Sequence, residues 1–122
     1  MLTREIADVL VPIVTPSGES IAELVGNASP VKSARHSIAI VTIPPGKSSV
    51  LHLHPEAEES YFVTAGRAEI RVGEETFALR EGSAALIPPK APHKITNSGN
   101  NDLVFVAVCV PAWEPTNSVW LE

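Results

Sequence analysis

Residues 46–66 run GKSSVLHLHPEAEESYFVTAG, and the reading of this stretch decides how the rest of the chain is read. It follows Pro44-Pro45, sets His52 and His54 on either side of Leu53, breaks at Pro55, and resumes at Glu59 with an aromatic and β-branched run. On a strand, residues i and i+2 point to the same face, so His52 and His54 project side by side. If Glu59 faces inward, so do Tyr61 and Val63, while Ser60 and Phe62 face the other way. A further histidine, His93, follows the loop Pro88 to Pro92. Three imidazoles and a carboxylate suit one divalent transition metal ion: Fe, Mn, Ni, Co or Zn. On an octahedral ion, four protein ligands leave two positions open for Lewis-acid or oxygen chemistry; on zinc they can instead close a tetrahedral structural site. By spacing alone, metal ligation and ordinary satisfied strand histidines stand level.

Working outward, the chain is punctuated by eleven prolines and seven glycines at short intervals. Between them lie short apolar or alternating runs: Ser37 to Ile43, Ser48 to His54, Glu59 to Thr64, Ala68 to Val72, Thr76 to Leu79, Ser83 to Ile87 and His93 to Thr96. Ala68, Ile70 and Val72 alternate with Glu69 and Arg71, the pattern of a half-buried strand. Leu103 to Val110 is apolar throughout, as a central strand covered on both faces would be. Turn signals every eight to twelve residues indicate an all-β sandwich or barrel. Residues 1–16 form an extended apolar lead-in, and Glu19 to Val25 is expected to hold a turn or two of helix. Phe77 and Leu79 are expected in the core.

The 122 residues fit one domain with a core that needs no disulfide. The net charge is −5 with acids and bases interspersed, so there is no basic patch for nucleic acid and no polybasic stretch for a membrane surface. The single cysteine, Cys109, suits a reducing compartment and reads as a buried, inert thiol. The N-terminus carries Glu5 and Asp8 and is broken by Pro12, a poor signal peptide. A cytoplasmic protein is expected.

Residues 46–66 resemble the first motif of the cupin superfamily, G-x5-H-x-H-x4-E-x6-G, at every fixed position. Residues 82–97, GSAALIPPKAPHKITN, resemble the second, G-x5-P-x-G-x2-H-x3-N, at Gly82, Pro88, His93 and Asn97. The resemblance implies a small jelly-roll-like β-barrel with little helix, spanning residues 1–122 as a single domain. The core barrel would lie at about 34–111, after an extended N-terminal arm, 1–33. It implies that His52, His54, Glu59 and His93 hold the metal; Glu56 and Glu58 are left as solvated loop charges. One position departs: Lys90 stands where the second motif has Gly, and a Lys costs more than Gly if the loop requires a positive φ.

Tyr61 shares parity with Glu59 and is the candidate catalytic side chain, able to orient substrate or exchange a proton; the alternative is a wall aromatic with its hydroxyl at water. Either Ile38, Ile40 and Thr42 or else Ala39, Val41 and Ile43 line the interior. Trp113 and Trp120 are expected to cap a barrel end or pack on a partner subunit. Similar cupins include dioxygenases, isomerases, decarboxylases, cyclases and lyases, so a metal-dependent enzyme acting on a small, largely apolar or singly charged organic acid is expected. The alternatives are a non-catalytic binding or sensor module, and a barrel whose metal is only structural. The expected partners are a small-molecule ligand and a second copy of the chain in a homodimer, with no nucleic acid and no membrane. The apolar lead-in Val9 to Val14 is the candidate interface strand.

Overall fold

Alternation in three long strands sets the architecture. In Ser37–Ile43, Glu58–Ala65 and Leu103–Val110 every second residue is buried, so each strand gives one side of its pleat to a shared interior. The computed structural model describes residues 1–122. In chain order its strands are β1 (Ile13–Val14), β2 (Ser20–Val25), β3 (Ser37–Ile43), β4 (His52–Leu53), β5 (Glu58–Ala65), β6 (Arg67–Val72), β7 (Glu75–Arg80), β8 (Ala84–Ile87), β9 (His93–Asn97), β10 (Leu103–Val110) and β11 (Val119–Trp120). Short 3₁₀ turns cover Ile6–Asp8 and Pro115–Asn117, and there is no α-helix.

The strands form two antiparallel sheets, ordered β1-β2-β3-β10-β5-β8 and β11-β4-β9-β6-β7. Ile43, Val63, Leu103 and Phe105 from the first meet Ile70 and Ile95 from the second, all fully buried. The two packed sheets make the all-β sandwich that the turn spacing predicts, in the jelly-roll form that the motif resemblance implies. Gly66 permits the tight step from β5 to β6. Its φ is +86°, and a Cβ there would lie 2.7 Å from the Asp102 carbonyl oxygen. Asn97 ties the far end together: its side-chain amide donates to the carbonyls of Ile43 and Asn101, and its oxygen accepts the Gly99 N–H.

Several expectations are corrected. Glu19 to Val25 is not helical, because β2 pairs with both β1 and β3. Its helix-forming Ala22, Glu23 and Leu24 are overruled by that sheet pairing, which propensity does not see. Only His52–Leu53 of the run 48–54 is strand, since the ladder to β9 is confined to the His52–His93 pair and a single bridge from Ser48 to Thr96. Phe77 is 47% exposed while Leu79 is buried. Phe77 lies on the edge strand β7, along an open seam that it lines with Ala84 and Leu86 of the other edge strand, β8. In β10, Leu103, Phe105, Ala107 and Cys109 are buried, but Val104, Val106 and Val108 are only half covered.

Candidate metal centre

The interior narrows to a polar cluster at one end of the sandwich. His52 and His54 come from β4 and the residue after it, and His93 opens β9 directly opposite His52. Glu59 comes from β5 in the other sheet, between Cys109 of β10 and Ile87 of β8. All four are buried, and one ligand atom from each falls within 4.8 Å of the others. Glu56 and Glu58 are exposed.

The imidazoles are held by their Nδ1 atoms. Nδ1 of His52 lies 2.7 Å from the Val50 carbonyl and that of His93 lies 3.0 Å from the Ala91 carbonyl. Nδ1 of His54 lies 3.2 Å from both the Asn117 carbonyl and the Ser118 hydroxyl. Carbonyl acceptors fix the proton on Nδ1 and leave Nε2 with a free lone pair, which is the state a metal ligand requires. Nε2 of His54 and His93 lie 3.4 and 3.2 Å from Glu59 Oε1. Neither contact meets the geometry of a hydrogen bond, so all three buried atoms lack a partner. Convergent, buried donor atoms without partners are costly unless a cation joins them, so this set fits a divalent transition metal.

The electrostatics of His52 and Glu59 agree, while those of His54 favour its cation as long as no metal competes for Glu59. Burial, helped by the like charge of His93, pushes the His52 imidazole down to about 4 and keeps it neutral. Burial alone would raise the Glu59 carboxyl; the adjoining His54 and His93 outweigh it and hold it at about 2. Burial would likewise lower His54, but Glu59 turns the net shift upward.

A cavity of about 250 Å³ opens beside the cluster, and His52, His54 and Glu59 form part of its wall. Ala39 and Val41 line it, so of the two registers open for β3 the second holds. Tyr61 is buried on the same wall, and burial together with the charges of Glu59 and Glu19 drives its hydroxyl well above its ordinary range. Trp113 and Trp120 also line the cavity, Trp120 with its ring 5.2 Å from that of His52. Cys109 is buried on the wall, its thiol pushed up to about 12 by burial. Lys90 adopts φ +71°, the left-handed conformation for which the motif uses Gly, and its N–H donates to the His54 carbonyl at 2.7 Å. The departure therefore changes the side chain and leaves the loop's path intact.

Two residues escaped the sequence reading. Glu19 and Glu23 both line the cavity. Burial and the charge of Glu59 raise the Glu19 carboxyl to about 7 against the opposing pull of His93. Burial raises Glu23 against the Ala28 N–H and the charges of Lys32 and Arg4. The signal was the alternation Glu19, Ile21, Glu23, which a strand reading of this segment would have turned to one face.

The sequence profile described as Cupin domain matches residues 39–109. The chain belongs to the cupin family. It is 33% identical over 115 residues to the uncharacterized protein MJ1618 of Methanocaldococcus jannaschii, covering 94% of this chain and 91% of that protein. It is 30% identical over 83 residues to the oxalate-binding protein of Thermotoga maritima, covering 65% of this chain and 69% of that one. The oxalate decarboxylase of Lactobacillus farciminis, solved as its formate complex, superposes with a TM-score of 0.79 at 29% identity. That match covers 94% of this chain but 34% of the decarboxylase, so the chain spans about a third of that protein's length. With the sheets and the cluster in place, this is a cupin with a four-residue site suited to a divalent metal.

Proposed function

We propose that this cupin is a metal-dependent enzyme of the oxygenase, isomerase, decarboxylase or lyase type, acting on a small organic molecule bound in the cavity beside His52, His54, Glu59 and His93. The observation that carries this is the trio of orphaned buried atoms, Nε2 of His54 and His93 and Oε1 of Glu59, at the head of a mostly apolar cavity. A divalent metal bound there supplies Lewis-acid polarisation, or a site for oxygen, at its free positions. The protein's own part is to fix the imidazoles through Nδ1, to exclude water with the apolar walls, and to present Tyr61 as a proton-holding hydroxyl beside the substrate. The chain acts in the cytoplasm as a homodimer; the exposed apolar residues Leu10, Val11 and Val14 of the arm support the dimer. No helix is long and apolar enough to cross a membrane.

The oxalate-binding relative favours a second reading, a binding module that holds metal plus ligand without turning the ligand over. The deciding experiment begins with protein purified without added metal, whose metal content and coordination number are measured. The protein is then assayed against a panel of small organic acids with Fe(II), Mn(II), Co(II), Ni(II) and Zn(II). Turnover with a bound metal supports the enzyme. Tight binding with no turnover under any metal supports the binding module, and a protein that takes up no metal refutes both.

A further inference from the structure

Three carboxyls line the cavity, and no Lys or Arg does. Two of them are already engaged: Glu59 sits against His54 and His93, and Glu23 accepts the Ala28 N–H. The third, Glu19, makes its hydrogen bonds through its backbone alone. Its carbonyl accepts from Thr15 N–H at 2.8 Å and its N–H donates to Thr15 Oγ1 at 3.2 Å. These bonds close the Thr15–Glu19 turn and fix the backbone from which the carboxyl enters the cavity. The wall beside it includes the apolar Ile13, Ile21 and Val41, and none of the polar side chains lining the cavity, Thr15, Ser37 and Tyr61 among them, hydrogen-bonds to its carboxyl. A mostly buried carboxyl with no partner in an apolar wall weakens the fold, and such groups are found where a ligand is to be met.

We propose that Glu19 is the specificity-determining carboxyl of this cavity: it takes a hydroxyl or amide N–H at the far end of a small monocarboxylic acid held at the metal site, and it excludes dicarboxylates. This rests on the metal site proposed above. A divalent ion with Glu59 carries one net positive charge, which one carboxylate neutralises. A second carboxylate would face Glu19 in a low-dielectric site with no basic side chain to offset the repulsion. A donor at that end instead relieves the unpaired carboxyl. The substrate class narrows to hydroxy or amido monocarboxylic acids with an apolar body.

The test uses three acids of equal chain length, butyrate, 4-hydroxybutyrate and succinate, titrated at pH 8 into the full chain loaded with Co(II) and followed by the visible spectrum of the metal. The expected order has 4-hydroxybutyrate about tenfold tighter than butyrate, as for a hydrogen bond to a charged group, and succinate weakest. Glu19→Gln keeps the side chain's size and should bring succinate to parity with butyrate, while Glu19→Lys should make succinate the tightest of the three. Succinate binding as tightly as 4-hydroxybutyrate in the native chain overturns the proposal, as does an unchanged order in the variants. Cobalt uptake with an equal or absent response to the three acids overturns the role of Glu19 alone. A chain that takes up no cobalt overturns the metal site and this proposal with it.

Discussion

Removing the charge of Glu19 should stabilise the metal-free protein, an unusual outcome for a change at a mostly buried position. The carboxyl ordinarily titrates near 4.5 and in the fold near 7, raised by burial and by Glu59. Between those values the folded chain still binds a proton that the unfolded chain has released. Stability therefore falls as pH rises through that window and stays at the lower level above it. At about 1.36 kcal/mol per pH unit, the full penalty is at most ~3 kcal/mol, and partial exposure to water reduces it to ~1–3 kcal/mol. Glu19→Gln keeps the shape and removes the penalty, so at pH 8 its melting temperature should rise by roughly 4–12 °C for a domain of this size. The difference should vanish at pH 4, where the native carboxyl is protonated in both states. Thermal unfolding of both proteins at pH 4 and pH 8, followed by circular dichroism after chelator treatment, measures this directly. Equal stability at pH 8, or a gain just as large at pH 4, would refute the reasoning.

His93→Ala removes one of the orphaned donors, and its affinity for Co(II), measured against a competing chelator, should fall by more than the about 10–100-fold that losing an outer partner of a ligand costs; unchanged affinity would remove His93 from the site. Tyr61→Phe keeps the ring against Phe105, 4.6 Å away between centroids, so ligand affinity should hold within about threefold while turnover falls about 10²–10⁴-fold if the hydroxyl moves a proton. Turnover that survives would leave Tyr61 as a wall residue. Lys90→Gly should raise stability by about 0.5–1 kcal/mol in denaturant unfolding, since the left-handed conformation costs a side chain ~1–2 kcal/mol and Gly returns part of that as backbone entropy. A loss of stability would mean that the Lys90 side chain makes an interaction worth more than its conformation costs.

Much of the site was legible because its constraints are local. His52 and His54 share a face by strand parity, and Glu59, Tyr61 and Val63 are buried in strict alternation with Ser60, Phe62 and Thr64. The Lys at a motif glycine marked where a positive φ would be costly, and the structure decides that Lys90 adopts it. What was not legible depended on pairing between distant segments. Glu19 to Val25 carries helix-friendly residues, and only its ladder to β3 makes it a strand. The contact from the Asn117 carbonyl and Ser118 to His54 spans more than sixty residues and leaves no local pattern. Phe77 has a core residue's parity, but whether an edge strand is covered depends on where the opposing sheet ends.

The sequence by itself determined the residue types of the site, the shared face of His52 and His54, and the all-β class, because pleat period and turn chemistry act over a few residues. Tertiary structure alone decided that His52 and His54 lie in one sheet and Glu59 in the other, so that the cluster is gripped between the two layers. It also decided that Glu19 enters the same cavity with no partner for its carboxyl. The reason is physical: which strands become neighbours is settled by burying the apolar faces of both sheets at once, and no short window of sequence contains that balance.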